Sequence, residues 1–111
     1  MTSLSTHVLD TMHGCPAPGL EVVLLGPDGE IGRGVTNGDG RCPDLAPESL
    51  AAGRYSLAFS VAAYFRSVGV KLPELPFLDV VTIAFGISDQ GGHYHVPLLV
   101  SPYGYSTYRG S

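Results

Sequence analysis

Apolar and polar residues alternate through most of this chain with a period of two, the spacing that predicts strands rather than helices. The pattern is clearest near the C-terminal end. There His93, His95, Pro97 and Leu99 fall on one face, and Tyr94, Val96, Leu98 and Val100 on the other. Ser101-Pro102-Tyr103-Gly104 has turn chemistry, so Tyr105 to Arg109 is predicted to return as the second strand of a hairpin. Ser5 to Asp10 alternates too, with Ser5, His7 and Leu9 on one face and Thr6, Val8 and Asp10 on the other. Leu20 to Leu25 and Glu30 to Thr36 read as a hairpin around Pro27-Asp28-Gly29. Tyr55, Leu57, Phe59 and Val61 share one face of a strand beginning at Arg54, and Leu78 to Ile87 forms another strand.

The remaining segments are punctuation. Gly14 to Gly19 is predicted to be a loop from its Gly and Pro content, and Pro43 to Ala52 a loop with one short edge strand. One short helix is expected over Val61 to Val68, capped by Ser60 and ended by Gly69. Leu72 to Pro76 is an extended connector. The sum is an all-β chain of about eight strands and one short helix, with turns spaced as in a sandwich. Pro97 strains this reading. It lacks a ladder donor, so a bulge or a gap in pairing is expected where it sits.

Composition narrows the class. The chain has 111 residues, 44% hydrophobic and 14% charged, with 15 Gly and 9 Pro, which suits one turn-rich domain over residues 1–111 and argues against disorder. Its net charge is −4 and Lys71 is its single lysine, so a nucleic-acid partner is not expected. No run approaches the roughly 20 apolar residues needed to span a membrane, and the N-terminal residues do not read as a secretory signal. Cys15 and Cys42 are expected to be reduced thiols in a cytoplasmic protein.

Candidate chemistry gathers on histidine and arginine. His93 and His95 share a strand face, and His7 joins them if the two strands are neighbours. His13, beside Gly14 in a turn, reads as an ordinary surface or satisfied core residue rather than a catalyst. The turn formers Thr36 to Gly40 end on Arg41, which is either a solvated side chain or a fork presented to a carbonyl or carboxylate. That loop lacks the flanking helices and the ligand pattern of a calcium site. Three imidazoles suit either a His₃ zinc site or acid–base catalysis without metal, and both stay open at this point. No nucleophile motif surrounds a serine or cysteine.

Ser5-Thr6-His7-Val8-Leu9-Asp10-Thr11, the Gly14-x-Pro16-Ala17-x-Gly19 loop, Thr36-Asn37 with Asp39-Gly40-Arg41, and the ending HYHVPLLVSPYGYSTYRGS together resemble the transthyretin-related 5-hydroxyisourate hydrolases. The likeness runs over nearly the full chain, and Tyr108-Arg109-Gly110-Ser111 is its most specific piece, since transthyretin itself lacks that tetrapeptide. The resemblance implies a transthyretin-like two-sheet β-sandwich, assembled as a homotetramer with sites in a channel between dimers. It implies hydrolysis of 5-hydroxyisourate, an intermediate of urate breakdown, without metal or cofactor. Carried over by position, it implies His7, Arg41, His95 and Ser111 as catalytic residues, and Tyr108, Arg109 and Gly110 as substrate-binding ones; His93, on the same strand face as His95, is expected to bind substrate beside them. Two alternatives stay beside it: a small-ligand carrier on the same fold, and a zinc hydrolase using the same histidines.

Overall fold

The computed structural model describes residues 2–110. Eight strands and one helix follow in the order β1 (Thr2–Asp10), β2 (Cys15–Pro16), β3 (Glu21–Gly26), β4 (Gly29–Val35), β5 (Gly53–Ser60), α1 (Val61–Ser67), β6 (Val80–Ile87), β7 (Gly92–Ser101) and β8 (Gly104–Thr107). They form two four-stranded sheets, ordered β2-β1-β7-β8 and β4-β3-β5-β6. Every pairing is antiparallel except β1 with β7, which run parallel in unbroken register from Thr2 opposite Gly92 to Asp10 opposite Val100.

The sheets face each other through the residues that alternation assigns inward. Val8 from β1 and Tyr94, Val96, Leu98 and Val100 from β7 meet Val22, Leu24, Leu57, Phe59 and Ile83 of the other sheet. Leu57, Phe59, Val8, Leu98 and Val100 are fully buried. Each such side chain contributes about 1.5–3 kcal/mol relative to exposure, so register is fixed strongly: a one-residue slip would turn the whole row to solvent.

Two local expectations are corrected. No strand occurs between Pro43 and Ala52; the short edge strand lies instead at Cys15–Pro16, within the predicted Gly14–Gly19 loop, where β2 pairs with Leu9 and Asp10. Ser60 precedes α1 but its hydroxyl does not cap it. The Asp79 carbonyl accepts hydrogen bonds from the Val61 and Ala62 amides instead, each at 3.1 Å, so the end of the connector satisfies the first turn. Gly69 ends the helix at φ +90°, as a left-handed stop requires.

Pro97 receives a specific explanation. The amide of Gly110 donates to the His95 carbonyl at 2.7 Å, so β7 backbone groups at odd positions in this stretch point toward β8. The same register places Pro97 opposite Tyr108, where the ladder breaks after Thr107. Pro97 has no N–H to offer there, and the Thr107 hydroxyl donates to its carbonyl at 2.7 Å. The second strand of the hairpin is therefore shorter than the predicted Tyr105–Arg109, and the chain touches β7 again only at Gly110.

Candidate active site

The parallel pairing of β1 with β7 builds the site. It sets Ser3 opposite His93, Ser5 opposite His95 and His7 opposite Pro97, all on the face turned away from the core. Three histidines from opposite ends of the chain thus share one surface. Sequence spacing places His93 beside His95, but only strand adjacency adds His7.

Each imidazole is held by a defined partner. His7 Nε2 lies 2.8 Å from the Asp39 carbonyl oxygen. A carbonyl only accepts, so Nε2 carries the proton in the neutral ring and Nδ1 keeps its lone pair. His95 Nδ1 lies 2.7 Å from the Ser5 hydroxyl, and the same hydroxyl lies 2.8 Å from His93 Nε2. The Ser3 hydroxyl meets His93 Nδ1 at 2.6 Å. Burial lowers the pKa of His95 below the usual histidine value, and Arg41, His7 and His93 push it the same way. His95 is consequently neutral at neutral pH and able to accept a proton.

Arg41 reaches this face because its loop is tied on both sides. The Asn37 side-chain oxygen accepts from the Asp39 and Arg41 amides, at 3.0 and 3.1 Å. The Asn37 amide donates to the Arg41 carbonyl, and the Val8 amide donates to the Gly40 carbonyl, both at 2.8 Å. A bridge joins Arg41 to His7. Gly40 is required at this junction. Its φ is +76°, and a Cβ there would stand 2.3 Å from the Val8 carbonyl oxygen. The Arg41 side chain is exposed and lines, with Ser5, a small cavity of about 180 Å³.

The C-terminal residues divide between two sides. Gly110 lies directly against His95: a Cβ on it would come within 2.6 Å of the ring's Cδ2. Tyr108 is exposed, at the position opposite Pro97 where the ladder opens. Arg109 goes to the other face. Its guanidinium stacks over Tyr94 at 4.0 Å from the ring centroid, and its Nη2 approaches the His93 carbonyl at 3.5 Å. Alternation explains this, since Arg109 shares a face with Thr107 and its partner Leu98. Arg109 is thus not brought beside the histidines. Ser111 lies outside the described residues.

Sequence alone does not mark Ser3 and Ser5 as site residues. Their signal is the alternation Ser3-x-Ser5-x-His7, which becomes informative only with β1 beside β7. Among the described residues, no three His, Cys, Asp or Glu side chains gather closely enough to hold a metal ion. The imidazoles are strung along the face, with one nitrogen of His7, one of His95 and both of His93 already partnered.

What the arrangement can do is acid–base chemistry beside a fixed cation. It offers a neutral imidazole, a second imidazole of defined tautomer and a guanidinium fork on one wall. The comparisons with known proteins agree in family. Residues 4–110 match the family model described as the HIUase/Transthyretin family. A 5-hydroxyisourate hydrolase of Ralstonia nicotianae is 52% identical over 117 residues, covering 100% of both chains. The solved structure of Klebsiella pneumoniae 5-hydroxyisourate hydrolase is 38% identical, covers 100% of both chains and superposes with a TM-score of 0.87. Sea bream transthyretin in complex with thyroxine is 31% identical over 96% of this chain and 93% of that one, with a TM-score of 0.84. Matched by the family model over residues 4–110 and by relatives along its full length, the chain belongs to the HIUase/transthyretin family.

Proposed function

We propose that this chain is a hydrolase that opens the six-membered ring of 5-hydroxyisourate in urate catabolism, giving 2-oxo-4-hydroxy-4-carboxy-5-ureidoimidazoline. One observation carries the reading: a neutral, pKa-depressed His95 stands with His7 and Arg41 on one face. Support from kinship comes from full-length relatives that bear the 5-hydroxyisourate hydrolase name.

In this reading water attacks a ring carbonyl while His95 Nε2 takes its proton. Arg41 donates to the carbonyl oxygen as negative charge develops there, which is where a donor lowers the barrier most. The ring C–N bond then breaks, and an imidazole returns a proton to the leaving nitrogen. Gly110 permits the C-terminal segment to close over His95, Tyr108 shapes the floor, and Ser111 keeps the catalytic role that the resemblance implies. His93 acts from behind His95. Every step uses groups of this chain, so no cofactor or metal enters. The reading takes residues 1–111 as one hydrolase domain, working as a homotetramer in the cytoplasm. The two unpaired thiols suit a reducing compartment. No helix among the described residues is long and apolar enough to cross a membrane.

A carrier is the second reading, favoured by the likeness to a transthyretin that binds thyroxine. Following the absorbance of freshly made 5-hydroxyisourate separates the two. The hydrolase reading expects catalytic decay that survives exhaustive chelation, because the groups at work are imidazoles and a guanidinium. Saturable binding without accelerated decay makes the chain a carrier. Chelator-sensitive decay with stoichiometric zinc returns the metal mechanism.

A further inference from the structure

The face behind His95 carries a continuous row of hydrogen-bonding groups: Ser3 hydroxyl, His93 imidazole, Ser5 hydroxyl, His95 imidazole, with contacts of 2.6, 2.8 and 2.7 Å. Three properties distinguish it from scattered surface polarity. It is built by strict register, since Ser3 faces His93 and Ser5 faces His95 across the parallel β1–β7 ladder. Its links are short throughout. Its inner end is the imidazole that the hydrolytic reading uses as base.

Two arrangements of this row keep every hydroxyl and ring proton within its links. The Ser5 hydroxyl has one proton and stands between two ring nitrogens; with that proton in the row, it donates to one and accepts from the other. If it donates to His93 Nε2, it accepts from Nδ1–H of His95, and His95 Nε2 is left with its lone pair. His93 in its neutral form then carries its proton on Nδ1 and donates to Ser3. If every link is reversed, His95 Nε2 carries the proton instead. Among the described residues no protein group bonds His95 Nε2, while Gly110 packs against the ring at Cδ2. The row therefore sets whether the free nitrogen of His95 is a base or an acid.

We propose that Ser5 and His93 are positioning residues for His95, forming with Ser3 a proton relay that presents Nε2 as a lone pair and then drains the proton it accepts. This rests on the hydrolytic reading above and deepens it. The transfer balances. As Nε2 takes a proton from the attacking water, Nδ1 releases its own to the Ser5 oxygen, Ser5 passes its hydroxyl proton to His93 Nε2, His93 Nδ1 passes one to Ser3, and Ser3 yields one to solvent. Each heteroatom gains and loses one proton, and the water oxygen forms its bond to the ring carbonyl carbon. The reversed row then has Nε2–H facing the substrate, ready to protonate the leaving nitrogen. Ser3 recovers a proton from solvent and the first arrangement is restored.

The surroundings give a reason for such a drain. His95 faces Arg41 from the loop after β4, His7 from β1 and His93 on its own strand, and each opposes an imidazolium there. Arg41 must remain positive to hold the oxyanion, so a second fixed cation beside it is costly. Passing the charge outward to the exposed end of the row, where His93 meets solvent, avoids that pairing.

Histidine ¹⁵N NMR of the ligand-free protein together with kinetics on Ser5→Ala, Ser5→Thr and His93→Gln tests this. The relay predicts that His95 in the parent is protonated at Nδ1, and that Ser5→Ala shifts it toward the Nε2–H form. It predicts a fall in kcat of about tenfold or more in Ser5→Ala and His93→Gln with KM within about twofold, and recovery to within about threefold in Ser5→Thr, which keeps the hydroxyl. The solvent isotope effect should curve with deuterium fraction in the parent and become linear in Ser5→Ala. A parent His95 protonated at Nε2 and unmoved by Ser5→Ala overturns the relay, as does a folded Ser5→Ala enzyme with parental kcat and isotope effect. If the NMR result is as predicted but the parent hydrolyses no hydroxyisourate, the row stands as a tautomer lock and it is the hydrolytic reading that fails.

Discussion

Gly110 shows how closely the C-terminal segment is fitted to His95. An added Cβ would meet Cδ2, Cβ and Cγ of His95 at 2.6, 3.0 and 3.1 Å, and two of these atoms belong to the inner part of the side chain, which cannot swing aside. Gly110→Ala must therefore tilt the ring off Ser5 or lift the segment away. Turnover should fall by about a hundredfold, the scale of loss when a catalytic group is misplaced by about an ångström, while the thermal midpoint of this edge position changes little. Arg41→Lys keeps the charge but loses the planar fork, and should raise the barrier by about 2.7–4 kcal/mol in a well-folded protein. Near-parental turnover in that variant would return Arg41 to the solvent. The pH dependence has a definite sign. Since the pKa of His95 is lowered, its neutral form persists below the usual histidine value, so activity should hold through pH 7 and fall only on the acid side of about 6.5. A profile flat from pH 8 down to 4 would count against an imidazole base.

At the scale of elements, the link between β1, the loop after it and α1 is a buried carboxylate. Asp10 accepts from the His13 amide at 3.0 Å, from His13 Nδ1 at 2.6 Å and from the Tyr64 hydroxyl at 2.7 Å. Burial opposes its charge, but these bonds together outweigh burial and hold its pKa below the ordinary aspartate value. His13, which the sequence leaves as an ordinary surface or satisfied core residue, is the partly exposed partner of this buried acid. A lowered folded-state pKa stabilises the fold above the unfolded value, and that stability is lost as pH falls through the folded one. Asp10→Asn should therefore cost about 1.5–3 kcal/mol at pH 7, and the gap to the parent should narrow in acid denaturation experiments below about pH 3.8. A gap independent of pH would mean the charge itself is not what the bonds hold. Pro97 acts at the same scale. By refusing a bond to Tyr108 it shortens β8 and frees the backbone that returns at Gly110, an effect visible in sequence as an anomaly and in structure as a break in the ladder.

The whole molecule explains why some of this was legible in the chain and some was not. Alternation sets Val8 on the face opposite His7, Leu57 with Phe59, and Leu98 with Val100, and these are the faces that the fold buries, because a half-buried strand writes its two faces into every second residue. It also placed His93 with His95. Pairing between distant strands leaves no local mark. The parallel adjacency of β1 and β7, which joins His7, Ser3 and Ser5 to them across almost the entire chain, came only with the fold. The two-residue β2 is hidden because Gly and Pro neighbours read as loop; the helix start at Val61 is legible, but not what satisfies its first amides, because the Asp79 carbonyl lies eighteen residues beyond Val61. Assembly belongs to this scale too. In the tetrameric reading, removing Arg109-Gly110-Ser111 together with Tyr108→Thr should leave oligomer mass unchanged while lowering hydroxyisourate turnover by about two orders of magnitude, as positioning contacts are lost. Equal rates before and after truncation would detach the segment from the site.

The claim that binds these scales is that the face shared by β1 and β7 performs the hydrolysis. Its most direct measurement is the decay of freshly generated 5-hydroxyisourate, followed side by side with the parent protein and with folded His95→Gln and His7→Gln variants. The account predicts rapid decay with the parent and a loss of about a hundredfold or more in each variant, the usual worth of a positioned acid or base. Decay no faster than the uncatalysed rate with the parent, or parental rates in both variants, would contradict it.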